Sequence, residues 1–229
     1  MRLDQFLQKT LGVSRQDARS ILKSKKVVVN GEVVKQAKHQ LDLSQDRVFY
    51  CDDELVYQEF FYFMLNKPKG FVSSHTHDGG TPIYDLLEDY SFVDLHCAGR
   101  LDVDTTGLVL VTNDGQWSHR VAHPNQNCFK RYLVTLAEDI TPSSIQQLEE
   151  GAELHEGKAL PAKVEVISPQ QIYLEISEGK FHQVKRMLKA VGNEVVELHR
   201  DRIGNINLGD LAEGDYRELT DAEIEEFLS

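Results

Sequence analysis

Apolar residues in the first part of the chain fall at helical spacing and then give way to β-branched runs. Apolar positions three and four apart within residues 3–11 predict a short helix. Ser14 followed by Asp17 is a typical N-cap pair, which predicts a second helix with its apolar residues inward. Two valine-rich runs flank Asn30-Gly31, a dipeptide that strongly indicates a tight hairpin. The pattern therefore predicts a compact N-terminal unit of two helices and a hairpin.

The rest of the chain mixes short apolar runs with amphipathic segments in no regular order. Residues 48–59 are acidic and irregular in pattern, so we place a boundary there and expect domains at residues 1–59 and 60–229. Irregular interleaving favours an α+β fold over a doubly wound one. The first strand is expected to stop at Asn66-Lys67-Pro68. Strands are predicted at residues 60–65, 107–112, 132–136, 164–167, 172–177 and 195–198, and helices at 83–88, 143–150, 182–191 and 221–227.

The net charge at first argues against a nucleic-acid partner. The chain of 229 residues has 25 basic and 37 acidic side chains, a formal charge of −12, whereas nucleic-acid binders usually present a cationic surface. Residues 1–40, however, carry a local charge of +6, which leaves −18 for the remainder. Arg15, Arg19 and Lys23 are spaced by four and form one basic stripe on the second predicted helix. A basic module joined to an acidic body fits this distribution, and so does a solvated lysine-rich helix.

Membrane and secretory signals are missing from the sequence. The longest apolar run covers only residues 60–65, far short of the roughly 20 residues that a membrane helix needs. No signal-peptide pattern follows Met1. We therefore expect a cytoplasmic protein without a membrane partner.

Cysteine and histidine spacing gives little support to a metal or disulfide site. Cys51, Cys97 and Cys128 are widely separated and form no C-x-x-C pair, so we expect reduced, mostly buried thiols. His75, His77 and Asp78 superficially resemble metal ligands, but one H-x-H in a glycine-rich loop is a weak signal. We expect no metal.

The segment with the clearest candidate chemistry is GRLDVDTTGL, residues 99–108, directly before an apolar strand. It places two carboxylates, Asp102 and Asp104, on a loop that a rigid strand would hold, and function is often carried on such loops. A turn in which Asp104 and the threonines cap their own backbone fits the same string. The local pattern leaves both interpretations open.

The N-terminal unit resembles the S4 RNA-binding domain. The resemblance covers about residues 1–50 and depends on the second helix running into the V-x-V-N-G turn. It implies RNA contact through cations that read phosphate geometry without reading bases. The implied RNA-binding residues are Arg15, Arg19, Lys23, Lys25 and Lys26.

The remainder resembles the pseudouridine synthases of ribosomal RNA, in the branch that acts on the small subunit. FMLNKPKG, GRLDVDTTGLVLVTNDG, KRYLVTL, ISEGKFHQVKRMLKAVG and VVELHRDRIG occur in the family's order. The resemblance implies a mostly antiparallel mixed sheet with flanking helices, no cofactor, and a monomer. It implies 16S rRNA or a small-subunit assembly intermediate as partner, with uridine 516 as the target.

The same resemblance assigns roles to residues of the second domain. Asp102 is implied to be catalytic, as a nucleophile at the anomeric carbon or as a base toward a sugar proton. Strand alternation puts Tyr132 on the same face as Val134 and Leu136, buried or lining a cleft, and the resemblance implies that it stacks on the uracil. Lys185 is implied to pair with Asp102, whereas Asp104 is expected only to stabilise the loop. Arg100 and Lys67 are expected near RNA, Arg100 at a phosphate or at the gap left by an extruded nucleotide and Lys67 on a loop beside the RNA backbone.

Three alternatives stay open at this point. A relative specific for large-subunit 23S rRNA would share every motif. A non-catalytic rRNA-binding protein would keep the S4 domain, although the set Asp102, Tyr132 and Lys185 argues against it. A glycoside hydrolase would use Asp102 with Asp104 as acid and base, but carboxylates at i and i+2 of an extended loop are poorly placed across a sugar.

Overall fold

The computed structural model describes residues 1–77, 79–122 and 128–228, and the chain divides into two compact units. The first comprises Met1–Phe60 together with Asp89–Asp94. The second comprises Phe61–Glu88 and Leu95–Ser229. Among the described residues, no helix is both long and apolar enough to cross a bilayer.

Two predicted helices and a small antiparallel sheet form the first unit. Ser14 caps the second helix, because its hydroxyl accepts a hydrogen bond from the Asp17 amide at 3.2 Å. Leu7 and Leu22, one from each helix, are buried in a core shared with the sheet. The helices are α1, Leu3–Leu11, and α2, Arg15–Lys23; the strands, in the sheet order β2-β1-β3-β4, are β1, Val27–Val29, β2, Glu32–Val33, β3, Val48–Tyr50, and β4, Asp53–Leu55.

The predicted hairpin between β1 and β2 is confirmed. Asn30 and Gly31 form its turn with φ angles of 51° and 86°. Positive φ at both central residues is what a two-residue turn of this hand requires.

The expectation that residues 48–59 are irregular is wrong. They contain the antiparallel pair β3–β4, which turns on Cys51 and Asp52 with φ of 52° and 72°. The acidic residues obscured this hairpin because they occupy its exposed positions, and Glu54 there forms a salt bridge with Arg47 at 2.6 Å.

A mixed, mostly antiparallel sheet forms the second unit, as the family resemblance implied. Its strands are β5, Tyr62–Lys67, β8, His96–Cys97, β9, Thr106–Thr112, β10, Lys130–Leu136, β13, Lys163–Ser168, β14, Gln171–Ile176, β15, Val195–Ile203, β16, Ile206–Asn207, and β17, Tyr216–Glu218. The strand order is β13-β14-β10-β15-β9-β5-β17, with β16 paired to β15 and β8 to β9. The strands β9 and β15 run parallel, and the other pairs of this sheet are antiparallel.

Helices and short strand pairs complete this unit. The predicted helices are present, although the first is a 3₁₀ helix, Ile83–Tyr90. Helix α3 was not predicted, because its apolar residues Trp117 and Val121 are too few to show a clear period. The remaining elements are α3, Gly115–Ala122, α4, Pro142–Glu150, α5, Gln183–Ala190, α6, Asp221–Glu225, and the strand pairs β6, Phe71–Val72, with β7, Thr81–Pro82, and β11, Glu153–Leu154, with β12, Gly157–Lys158.

Gly107 permits the parallel contact between β9 and β15. It pairs with Arg200 at a φ of 105°, and a Cβ atom there would lie 2.2 Å from the Arg200 carbonyl oxygen. We expect Gly107→Ala to lower the free energy of unfolding by about 3 kcal/mol, since it adds a backbone clash to an unfavourable φ.

Urea unfolding with Gly115→Ala as the matched control tests this. Gly115 begins α3, and apart from its chain neighbours and the backbone of its own helix no atom lies within 4 Å of the position of its Cβ, so the control should retain its stability. Equal unfolding midpoints for both variants would contradict the expected clash.

Candidate active site

Asp102 lies on the loop between β8 and β9, and hydrogen bonds to the backbone of this loop hold it on both sides of Asp102. The Ser73 hydroxyl accepts from the Leu101 amide at 3.2 Å and lies 3.3 Å from its carbonyl oxygen, to which it donates. One residue after Asp102, the Val103 carbonyl accepts from the Gly70 amide at 2.8 Å. The Asp102 carboxylate is thus presented from a fixed backbone, with about a quarter of its side chain exposed.

The start of α5 faces this carboxylate. Val184, Met187 and Leu188 anchor this helix, which was predicted over residues 182–191, by their burial. Lys185 lies on the opposite face, with Nζ 3.3 Å from Oδ2 of Asp102. The structure therefore brings together the aspartate and the lysine that the resemblance paired.

Lys185 is shared between two carboxylates. Its Nζ donates to Oδ1 of Asp104 at 2.6 Å, closer than its distance to Asp102. Burial opposes the charge on Lys185, but the hydrogen bond to Asp104 and the two negative charges outweigh it, so the pKa of Lys185 lies above its ordinary value. Burial likewise acts to raise the pKa of Asp104, and the hydrogen bond and charge of Lys185 reverse this into a net lowering. Asp104 therefore anchors the ammonium as well as belonging to the loop.

His182 also contacts Asp102, with Nε2 3.4 Å from Oδ1. It precedes α5 in the left-handed conformation, at a φ of 47°, and its ring stacks on Phe181 with centroids 3.7 Å apart. Phe181 is 76% exposed. An aromatic surface therefore lies directly beside the carboxylate.

Tyr132 and Arg200 line the cleft on the sheet side. Strand alternation places Tyr132 inward on β10, where it is 7% exposed, as predicted. Arg200 on the neighbouring β15 donates from Nη1 to the Tyr132 hydroxyl at 3.4 Å and from Nε to the Leu108 carbonyl at 2.8 Å. Asp102, Tyr132 and Lys185 all line this one cleft. A carboxylate, a cation beside it and an aromatic wall can together hold a planar base and act on the sugar attached to it.

Known proteins match both units of the chain. The profile of the family described as RNA pseudouridylate synthase matches residues 61–190, and that of the S4 domain matches residues 1–48. The chain belongs to the RNA pseudouridylate synthase family. It is 51% identical to the ribosomal small subunit pseudouridine synthase A of Yersinia pestis over 98% of this chain and 97% of that protein, and 51% identical to the protein of that name from Escherichia coli K12 over 98% of each.

A solved structure described as a pseudouridylate synthase extends the match to the fold. It superposes with a TM-score of 0.70 at 44% identity and covers 99% of both chains. As an RNA pseudouridine synthase, the chain is an isomerase, and the α+β class with an N-terminal S4 domain is confirmed.

Two further residues of this pseudouridine synthase were expected near RNA. Arg100 is exposed at the edge of the cleft, where a phosphate can reach it. Lys67 is not on a loop: it is the last residue of β5 and is fully buried. Its Nζ donates to the carbonyls of Pro68 at 2.9 Å and Phe71 at 2.7 Å. Burial, against the charges of Asp104 and Asp102, lowers the pKa of Lys67 to about 8.

The expectation for Lys67 is therefore corrected. Its ammonium stabilises the turn after β5 and is unavailable to a phosphate. The strand continues through Asn66 and Lys67 because both find internal partners; the Asn66 amide group donates to the Leu211 carbonyl at 2.8 Å.

The S4 domain carries the predicted basic stripe on its surface. Arg15 also approaches the buried carboxylate of Asp4 at 3.9 Å, while Arg19 and Lys23 continue along α2. All five cations that the resemblance assigned to RNA are exposed: Arg15, Arg19, Lys23, Lys25 and Lys26.

The residues considered as metal or disulfide ligands have other surroundings. His75 stacks on Tyr84 with centroids 3.9 Å apart, and its Nε2 lies 2.8 Å from the Leu95 carbonyl. Asp78 lies outside the described residues. Within the described ranges, no three His, Cys, Asp or Glu side chains converge as a metal site. The thiols are free, and Cys51 is exposed rather than buried.

Sequence reasoning missed three residues of the cleft, His182, Lys130 and Arg200. His182 was assigned only to the start of a helix, and its contact with Asp102 depends on the left-handed backbone conformation just before α5. Lys130 lies in the KRYLVTL motif and Arg200 in VVELHRDRIG, but nothing in their local pattern shows that they are buried. They are 6% and 3% exposed.

Proposed function

We propose that the chain converts uridine 516 of 16S rRNA to pseudouridine. The observation that carries the proposal is the placement of Asp102 beside Lys185 in a cleft walled by Tyr132. The choice of RNA follows the relatives, whose names specify the ribosomal small subunit and which match this chain over nearly its full length. The substrate is 16S rRNA or a small-subunit assembly intermediate, and the enzyme works as a cytoplasmic monomer.

Some residues of the cleft act on the ribose and others hold the base. Asp102 acts on the ribose, where its carboxylate meets the electron-deficient anomeric carbon or accepts a sugar proton. Lys185 holds that carboxylate in place, and Asp104 holds Lys185. Tyr132 stacks on the uracil while the base turns to present C5 to the ribose. Arg100 contacts the RNA beside the extruded nucleotide, because a stacked uridine would not expose its glycosidic bond.

Mapping the modified position tests this proposal. Purified protein is incubated separately with unmodified 16S and 23S rRNA, and pseudouridine is located by carbodiimide labelling and primer extension. We expect one modified position, uridine 516, in 16S rRNA. Modification of 23S rRNA alone would favour a large-subunit enzyme, and binding without modification of either RNA would favour a non-catalytic protein.

The basic stripe is expected to supply sequence-independent affinity. Arg19→Ala and Lys23→Ala should each weaken binding to 16S rRNA and reduce the slope of log K against log salt by about 0.7 to 0.9 for each phosphate that the protein no longer neutralises. Lys35→Ala is the control, because Lys35 is an exposed cation of the same unit outside α2. Equal losses in all three variants would show that net charge, rather than the stripe, determines affinity.

A further inference from the structure

Among the described residues, no carboxylate pairs with two buried cations on the sheet side of the cleft, Lys130 and Arg200. Lys130 Nζ and Arg200 Nη2 have no hydrogen-bond partner in the part of the chain that the structure describes. The other guanidinium hydrogen bonds go to neutral acceptors, the Leu108 carbonyl and the Tyr132 hydroxyl. Burying a cation without a carboxylate costs several kcal/mol. Because burying these two cations costs free energy of folding, we expect them to serve a function in the cleft.

Both cations lie beside Tyr132 on the sheet side of the cleft. Lys130 and Tyr132 are two residues apart on β10 and share its inward face, and Arg200 pairs with Tyr132 across the β10–β15 ladder. All three line the cleft that holds Asp102. On the opposite wall, Lys185 is shared by the carboxylates of Asp102 and Asp104, so these three groups together carry a charge of −1. The excess positive charge therefore lies on the side where Tyr132 would hold the uracil.

We propose that Lys130 and Arg200 stabilise the uracil ring as an anion while it is detached from the ribose. This inference rests on the proposed isomerisation of uridine. When the C1′–N1 bond breaks, its electron pair leaves with the base, and the negative charge spreads over N1, O2 and O4. A bond then forms between C5 and C1′, C5 loses its proton, and N1 gains one, so that the product is an isomer of the substrate.

Two positive charges in the cleft suit a base that is neutral when bound and negatively charged when detached. Bound uridine is neutral and gains little from two cations, whereas the detached ring carries a full negative charge beside side chains that are themselves buried. Interactions that strengthen only as charge develops lower the barrier without tightening substrate binding. Burial lowers the pKa of Lys130, against the effect of the Cys128 thiol, and the charge of Arg200 lowers it further. A negatively charged uracil ring beside Lys130 and Arg200 would offset the electrostatic repulsion between these two cations.

Lys130→Met distinguishes this catalytic role from a structural one. Loss of a structural group lowers Tm, whereas loss of a catalytic cation lowers the rate without lowering Tm. Removing an uncompensated buried charge should leave Tm unchanged or raise it, while the single-turnover rate of tritium release from RNA carrying 5-tritiated uridine should fall about 100-fold. The Kd for RNA should stay the same. Lys130→Arg, which keeps the charge, should retain most of the rate. Lys163→Met is the control, since Lys163 is an exposed cation paired with Glu175 at 3.6 Å on the same sheet.

A change of leaving group provides the second readout. Fluorine at C5 makes the uracil ring more acidic, so its anion needs less stabilisation. The deficit of Lys130→Met in breaking the N-glycosidic bond should therefore be smaller with 5-fluorouridine RNA than with uridine RNA. An equal deficit on both substrates, or a rate within threefold of the native protein, would overturn the inference. An inactive native protein would instead refute the proposed function.

Discussion

Asp102→Asn is expected to reduce tritium release from RNA carrying 5-tritiated uridine by roughly 10⁴-fold or more, as the loss of an essential reacting group does in other enzymes. Asparagine keeps the shape of the side chain but can neither attack the anomeric carbon nor accept a proton from the sugar. The loop should keep its conformation, because the hydrogen bonds that hold it involve the backbone of Leu101 and Val103. RNA binding should therefore change little.

Asp104→Asn is the matched comparison for this variant. Asp104 accepts the shorter contact from Lys185 but is more exposed than Asp102. We expect a loss of only a few fold, because Lys185 keeps its contact with Asp102. Comparable losses in the two variants would mean that the carboxylates act together, as in a hydrolase, and release of free uracil would then be the product to seek.

Lys185→Met is expected to give the next largest effect, a fall of about 10² to 10³-fold in the single-turnover rate. Without the ammonium, the carboxylates of Asp102 and Asp104 face each other without a cation between them. Asp102 then lacks the ammonium at 3.3 Å that positions it. The measurement is the single-turnover rate at saturating RNA, so that weaker binding does not contribute.

Lys189→Met provides the control for Lys185, because Lys189 is exposed on the same helix one turn later. It should retain nearly the native rate. Lys185→Arg should recover part of the missing rate, since arginine keeps the charge but spreads it over a planar group. A native rate in Lys185→Met would show that His182, at 3.4 Å from Asp102, is sufficient to position the carboxylate.

Much of this architecture could be predicted from the sequence. The period of apolar residues located α2 and α5, and Asn30-Gly31 located the first hairpin, because these signals come from local backbone preference. Alternation along β10 correctly predicted that Tyr132 points inward. In such elements the local pattern and the tertiary environment favour the same conformation.

The errors arose where distant parts of the chain determine the outcome. Lys67 and Lys130 are charged residues that the fold buries, and hydropathy alone assigns such residues to the surface. Their environments depend on the turn after β5 and on the neighbouring β15, which no local window contains. The sharing of Lys185 between Asp102 and Asp104 likewise depends on the approach of α5 to a loop about 80 residues earlier in the chain.

The hydrogen bonds from Ser73 and Gly70 to the loop of Asp102 affect the thermodynamics of catalysis. They fix the backbone on both sides of the carboxylate when the chain folds. Fixing one residue in a single conformation costs about 1 to 2 kcal/mol of entropy, and here that cost falls on folding rather than on the encounter with RNA. In the proposed reaction, affinity gained from phosphate contacts would therefore remain available for extruding the uridine, because the loop of Asp102 is already ordered.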